Sequence, residues 1–495
     1  MKRILIANRG EIAVRIIKTC REMGITSIAV ASEADLNARH AREADVCYAI
    51  GPAPVSESYL NMARILEVAV EAKADAIHPG FGFLSENAAF ARATAEAGFV
   101  FIGPKPEVIE TMGSKQEAKR RMIEAGVPVV PGYTGDRQDA TFLAEQAAGI
   151  GYPLLIKASA GGGGKGMRVV TTPEQFLVEL DTARREAKAA FGDDTVLLER
   201  YLTRPRHVEF QVFGDQHDNL VHLFERECSI QRRHQKILEE SPSPKLKPEV
   251  RAKMAAAAVA AARTVGYSNA GTVEFMLDED DSFYFLEVNT RLQVEHPITE
   301  AVTGLDLVRW QIQVARNEKL PLTQDQITSR GHAIEVRIYA EDPNQDFFPQ
   351  TGRIVAYQEP DGLGIRVDSG IQQGDEISIF YDPMIAKLIA WGATRTEVIE
   401  KLSNALANYC VHGVRTNIGL MQEILREPCF LAGETATDYL PKNFPKPCLN
   451  SDLLDTALAM STRAATQEEE SSSGSHATTA QDGPWSRLVG WRAKA

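Results

Sequence analysis

The sequence predicts a mixed chain, α/β and α+β: an N-terminal doubly wound parallel sheet, a central domain with a mobile glycine-rich lid, and a C-terminal mixed α+β domain. Three observations lead there. From Ile4 to about Gly113 short apolar strands alternate with helical segments, the pattern of parallel strands joined by crossovers. A glycine run, Gly161 to Gly164 followed by Gly166, is closely flanked by strand-like segments. Further on, two strand-like stretches carry carboxylates and an amide where apolar residues would be expected.

In the first region, residues 1–113, strands are expected over 4–7, 27–31, 76–78 and 100–102, with helices over 11–23 and 61–71. The loop Ala7-Asn8-Arg9-Gly10-Glu11 follows the first strand and opens a helix, the place where dinucleotide folds hold phosphate. It has a single glycine instead of GxGxxG, which argues against nicotinamide binding. The glycines of His78-Pro79-Gly80-Phe81-Gly82-Phe83-Leu84-Ser85-Glu86-Asn87 fit a tight loop at the carboxyl edge of the sheet. An ordinary βα turn with Ser85 as helix cap fits them equally.

The second region, 114–330, begins with Lys115 at the start of a helix and contains a lid subdomain over about 131–203. Its loop, Lys157-Ala158-Ser159-Ala160-Gly161-Gly162-Gly163-Gly164-Lys165-Gly166-Met167, runs from strand to strand, and Lys165 is followed by glycine rather than Ser or Thr. A Walker loop is thereby excluded. The backbone N–H groups of Gly162, Gly163, Gly164 and Gly166 can wrap phosphate oxygens, and their conformational freedom lets the loop open, as expected of a lid over ATP. Lys115 and Lys157 can reach nucleotide phosphates. Glu199-Arg200-Tyr201-Leu202 follows an apolar strand and is a candidate hinge for adenine and ribose.

The acidic run Asp278-Glu279-Asp280-Asp281 separates strands over 272–277 and 282–289 and reads as a hairpin turn. If Leu277 faces Ser282, strand parity places Glu274, Glu287 and Asn289 on one face. Two carboxylates and an amide oxygen suit Mg²⁺, which takes its remaining ligands from water and phosphate and so implies a nucleotide substrate. Arg291, Gln293 and Glu295 continue the alternation beyond the strand.

The third region, 331–446, is strand-rich before becoming helical. Residues 447–495 are expected to form a linker and tail, partly disordered, from a composition with Glu468-Glu469-Glu470-Ser471-Ser472-Ser473 at its centre. Across 495 residues with 44% hydrophobic content there is no long apolar run, so no membrane span is expected, and the net charge of −13 argues against nucleic acid. Cys20, Cys47, Cys228, Cys410, Cys429 and Cys448 lack disulfide or zinc spacing and read as reduced thiols. The first residues lack a signal-peptide or transit-peptide pattern, and a cytoplasmic location is the expectation.

Lys115, the glycine loop, Glu199 and the triplet Glu274, Glu287 and Asn289 together resemble the ATP-grasp superfamily. Ile6-Ala7-Asn8-Arg9-Gly10-Glu11-Ile12-Ala13, residues 78–87, 226–240 and 287–297 are similar to the biotin carboxylase family, a resemblance covering residues 1 to about 445. It implies carboxylation of carrier-borne biotin with bicarbonate and MgATP, two Mg²⁺ or Mn²⁺ ions being expected, through carboxyphosphate. Bicarbonate and the ureido nitrogen of biotin are both poor nucleophiles, so the site must activate both. Arg291, Gln293 and Lys236 are candidates to bind bicarbonate, with Glu295 placed to take its proton. The resemblance further implies that Arg337 stabilises the enolate-like oxygen of biotin, and that His207, Gln231 and His234, with Leu202, Gln293 and Val294, surround the nucleotide. Phe81 and Arg200 stand where many relatives have tyrosine and lysine, and neither removes a group the mechanism requires.

Biotin attachment requires an Ala-Met-Lys-Met-like hairpin, and the nearest match, Ala252-Lys253-Met254, falls in an alanine-rich helical stretch. The carrier is therefore expected on a separate domain or chain, alongside a carboxyltransferase subunit, in a homodimer or larger complex. The third region and the tail look closest to the α subunits of acyl-CoA carboxylases of the methylcrotonyl-CoA type. Another ATP-grasp ligase and a non-catalytic carboxylase scaffold remain as alternatives.

Overall fold

The computed structural model describes residues 1–159, 166–233 and 235–445. Gly162, Gly163, Gly164, His234, Cys448 and the tail lie outside the described residues.

Five parallel strands open the chain: β1 (Arg3–Ile6), β2 (Thr26–Ala31), β3 (Val46–Ala49), β4 (Ala76–His78) and β5 (Val100–Phe101), in the spatial order β3-β2-β1-β4-β5. The apolar pattern locates four of them; β3 is an edge strand of only half-buried and exposed residues and gives little signal. Both faces are covered, as a parallel sheet requires. Ile4 and Ile6 pack with Ile12 and Ile16 of helix Gly10–Glu22, whereas Leu5 and Ala7 pack with Ile65, Val68 and Phe90. The strand order reverses between β1 and β4, and such a switch point opens a ligand crevice at the carboxyl ends of the strands.

The lid sheet comprises β6 (Gly132–Tyr133), β7 (Leu154–Ala158), β8 (Met167–Val170) and β9 (Val196–Arg200), ordered β6-β9-β7-β8. Helices Ala140–Ile150 and Phe176–Phe191 cover it, with Leu143, Phe176 and Leu180 in its own small core.

An eight-stranded antiparallel sheet follows: β10 (Arg206–Gly214), β11 (Leu220–Arg232), β12 (Gln235–Ser241), β13 (Asn269–Leu277), β14 (Phe283–Asn289), β15 (His332–Tyr339), β16 (Ile365–Ser369) and β17 (Met384–Gly392), in the order β14-β13-β10-β11-β12-β15-β17-β16. Because β12 pairs with β15, the sheet runs unbroken across the chain division expected at 330/331. Helix Pro248–Thr264 lays Met254, Ala258 and Ala261 on Val208, Phe210 and Phe275. Phe213 and Leu223 join Ile4, Ile16 and Trp310 in another core, which ties this sheet to the N-terminal one.

Candidate functional site

Strand parity aims one set of polar residues away from the Phe210 core. Glu209 on β10 lies directly opposite Arg226 on β11 and Glu274 on β13, and Glu274 lies opposite Glu287 on β14. The hairpin register differs from the expected one. Leu277 faces Phe283, and a bulge after Phe275–Phe285 shifts the pairing so that Thr272 faces Asn289. The extra residue restores the parity that a uniform ladder would lose, and Glu274, Glu287 and Asn289 share a face as anticipated. Asn289 Nδ2 donates to Glu274 Oε1 at 2.7 Å.

Lys236 on β12 is the hub. Its ammonium donates to Glu209 at 2.5 Å, to Glu274 at 2.8 Å and to Glu295 at 2.6 Å. Arg226, fully buried, donates to Glu209 at 2.6 Å and to Gln211 at 2.8 Å. On the far side Arg337 reaches Glu239 Oε1 through Nε at 2.7 Å and Glu295 Oε2 through Nη2 at 3.1 Å. Buried charges persist only when paired in this way. Burial opposes ionisation of Glu295, yet Lys236, Arg337 and Arg226 together outweigh it and the carboxyl titrates below its ordinary range. Glu239 goes the other way, because burial pushes it up to about 7 against Arg337.

His207 has Gln231 Nε2 3.0 Å from its Nδ1 and its Nε2 3.0 Å from Glu274 Oε2, the latter contact being off the hydrogen-bond axis. Burial disfavours the imidazolium, but the carboxylates of Glu274 and Glu209 together prevail and raise the pKa to about 9. Gln293 Nε2 donates to Glu274 Oε1 at 2.8 Å, and its Oε1 is 3.3 Å from Lys236. Arg291 turns elsewhere, with Nε donating to Glu86 at 2.8 Å and Nη2 to Asn289 at 3.1 Å.

The donor set fits a hard cation. The Glu287 carboxylate makes no hydrogen bond among the described residues, and burial followed by the charge of Glu274 raises its pKa. A carboxyl in that position gains from Mg²⁺ what it loses to its neighbour. Glu274 offers its second oxygen and Asn289 its carbonyl.

Lys115 begins helix Lys115–Glu124, capped by Ser114 Oγ. Burial lowers its pKa, with Glu287 and Glu199 opposing. Lys157 on β7 is ion-paired with Glu199 on β9, whose other oxygen accepts from Lys119 at 3.2 Å. Leu202 lies just beyond Tyr201, which follows the end of β9 at Arg200. Gly166 closes the glycine loop at φ +70°, and a Cβ there would stand 2.9 Å from that of Ala158.

At the switch point a cavity of about 460 Å³ is lined by Glu11, Phe81, Arg291, Val294, Arg337 and Tyr381. Its wall unites the two loops singled out in the sequence, since Asn8 Nδ2 donates to the carbonyls of Pro79 and Phe81 at 2.7 and 2.8 Å. The helix after the second loop is capped by Asn87, which accepts from Phe90 N, while Ser85 is buried with its hydroxyl unbonded among the described residues, so the alternative of a turn with Ser85 as cap does not hold. Glu209, Glu239, Glu11, Lys119 and Lys387 were not singled out as candidates. Lys387 is the one charge in an otherwise apolar strand, whereas Glu209, Glu239, Glu11 and Lys119 stand among other polar residues whose spacing does not set them apart.

Three family models tile the chain: biotin carboxylase N-terminal domain over residues 1–109, carbamoyl-phosphate synthase L chain ATP-binding domain over 114–323, and biotin carboxylase C-terminal domain over 335–442. The chain belongs to the biotin carboxylase family. Within it, the chain is 51% identical to the biotin carboxylase of Halalkalibacterium halodurans, over 89% of this chain and 97% of that protein. It is 50% identical to the mitochondrial methylcrotonoyl-CoA carboxylase subunit alpha of Dictyostelium discoideum, over 99% of this chain and 70% of that one. With the Mus musculus counterpart identity is 52%, over 89% of this chain but 62% of the relative, so the chain spans less than two thirds of that protein. Two crystal structures share the fold. The biotin carboxylase domain of Hydrogenobacter thermophilus 2-oxoglutarate carboxylase, a dimer with MgADP, ADP and bicarbonate, superposes with TM-score 0.85 at 47% identity, covering 90% of this chain and 98% of that one. The Campylobacter jejuni biotin carboxylase nucleotide complex gives 0.86 at 44% identity, covering 89% and 99%. The family makes the chain an ATP-dependent carboxylase ligase of the ATP-grasp type. The methylcrotonoyl relatives are mitochondrial, so they lend no support to the cytoplasmic expectation. Among the described residues no helix is long and apolar enough to cross a membrane.

Proposed function

We propose that this chain is the biotin carboxylase component of an acyl-CoA carboxylase, carboxylating biotin presented by a carrier with ATP and bicarbonate. The supporting observation is the Glu295 carboxylate, buried, held ionised by Lys236 and Arg337, and standing between the Glu274 cluster and the switch-point cavity.

ATP would lie between lid and sheet, its phosphates met by Lys115, Lys157 and the glycine loop, with Glu199 and Leu202 at the base end. Glu274, Glu287 and Asn289 would hold Mg²⁺, which neutralises phosphate charge when bound. Bicarbonate binds at Arg291, Gln293 and Lys236, sharing or displacing the Glu86 carboxylate on Arg291. Glu295 takes the bicarbonate proton as its oxygen attacks the γ-phosphorus, giving ADP and carboxyphosphate. Carboxyphosphate breaks its C–O bond to release CO₂ and phosphate. The phosphate removes the ureido N–H proton of biotin, Arg337 stabilises the charge that develops on the ureido oxygen, and the nitrogen attacks CO₂.

The carrier stands outside the described residues. Ala252-Lys253-Met254, the nearest attachment match, lies within helix Pro248–Thr264 and not in a hairpin. The longer α-subunit relatives support a carrier and a carboxyltransferase as partners in an oligomer. The test is steady-state ADP release with MgATP, with bicarbonate and free biotin each withheld in turn. Dependence on both supports the reading; turnover indifferent to biotin rejects it in favour of another ATP-grasp ligase.

A further inference from the structure

Lys387 is fully buried on β17, opposite Arg337 of β15 and Asp368 of β16. An interior ammonium costs several kcal/mol unless well paired, and a packed apolar side chain would stabilise the fold as well or better. Asp368 does not account for it. That carboxylate is taken by Arg366 at 2.6 and 2.9 Å and is 4.0 Å from the ammonium. Lys387 instead donates to the carbonyl of Val294 at 2.9 Å and lies 3.1 Å from Glu11 Oε2, with the Phe81 ring 5.8 Å away. Val294 sits between Gln293 and Glu295. Glu11 is buried in the first turn of helix Gly10–Glu22, and among the described residues neither of its oxygens has a hydrogen bond. Its one evident service is to supply negative charge to Lys387.

Resting on the function proposed above, we infer that Glu11 and Lys387 are a positioning pair: Lys387 grips the Val294 carbonyl and so fixes Gln293 and Glu295, and Glu11 supplies the counter-charge from the first turn of the helix that packs on the N-terminal sheet. The groups facing Glu11 are Lys387 from β17, Asp368 from β16 and Arg337 from β15, with His296 electrostatically opposed by the same Lys387. Burial, partly offset by Lys387, pushes Glu11 up to about 7. The pair is therefore complete above that pH, and below it Lys387 loses its counter-charge.

The experiment is biotin-dependent ADP formation by the full chain and its Lys387→Met and Glu11→Gln variants across pH 6 to 9. Because an ångström of misplacement costs about 10²-fold in rate, Lys387→Met is expected to lower kcat by about that factor and to change KM for ATP by less than about threefold. The wild-type kcat is expected to fall as pH drops through about 7, and Glu11→Gln to lose that limb by being low throughout. An unchanged kcat in Lys387→Met, or a parallel loss of ATP affinity, overturns the inference. Should Lys387→Met not fold, Glu11→Gln decides, and a pH profile matching wild type overturns it. Biotin-independent turnover by the wild type is a separate result, removing the proposed function and this inference with it.

Discussion

Lys236 and Glu295 are joined at 2.6 Å, with the same ammonium also bonded to Glu209 and Glu274. One cation thus fixes Glu295, the proposed proton acceptor, in relation to Glu274, the proposed metal ligand. A base held ionised by a neighbouring cation is always ready but weakened in basicity, which suits the single O–H proton of bicarbonate better than a ureido N–H. Glu295→Gln keeps shape and removes the acceptor, so biotin-dependent ADP formation is expected to fall by about 10²–10⁴-fold, the usual contribution of a general base. Nucleotide binding, measured by calorimetry, is expected to survive; turnover close to wild type would sink the assignment.

The Glu287 carboxylate faces Glu274 across β13 and β14 with no hydrogen bond among the described residues to compensate it. Replacing it by glutamine removes like-charge repulsion and, by the same change, a cation ligand. Two opposite consequences follow: melting without metal is expected to shift upward or stay level, while the Mg²⁺ concentration needed for half-maximal nucleotide binding rises at least about tenfold, the scale of losing one charged ligand interaction. A metal titration at fixed ATP checks both.

His207 carries a raised pKa, about 9, which Glu274 and Glu209 sustain against burial. A raised folded value stabilises the protein fully below the unfolded pKa of about 6.5 and is lost as pH rises through about 9. The shift corresponds to a stabilisation on the order of 3 kcal/mol. Apo-protein denaturation midpoints are therefore expected to decline between pH 6.5 and 9 in the wild type, and to decline less in His207→Gln. Parallel curves would show that the imidazole is neutral.

The sequence was legible where chemistry and periodicity coincide. Alternation located the N-terminal strands, and polar residues in a strand pattern marked Glu274, Glu287, Asn289 and Glu295. The hairpin register was not readable, because a bulge depends on backbone geometry near Phe285 that no single residue announces. Nor was the joining of β12 to β15, a contact between strands about ninety residues apart that only the assembled sheet defines. The pairing of Glu11 with Lys387 was not readable for a related reason: Glu11 opens the first helix, Lys387 is a lone charge in an apolar strand, and the 3.1 Å between them exists only once those distant elements pack together.

Gly166 links the lid loop to β8 with φ +70°, a backbone conformation costing a side-chain-bearing residue roughly 1–2 kcal/mol. The added Cβ would also press at 2.9 Å on the Cβ of Ala158, the residue after Lys157. Gly166→Ala thus strains the loop's foot and displaces the strand that carries Lys157, the lysine proposed to meet the nucleotide phosphates. Because the strain is local to the lid sheet, the denaturation midpoint is expected to fall modestly while KM for ATP rises by about three- to tenfold, a free-energy change of the same 1 kcal/mol order. KM for bicarbonate, set on the eight-stranded sheet, is expected to hold. Equal increases in both constants would place the effect in the whole fold and contradict the assignment of Gly166 to nucleotide binding.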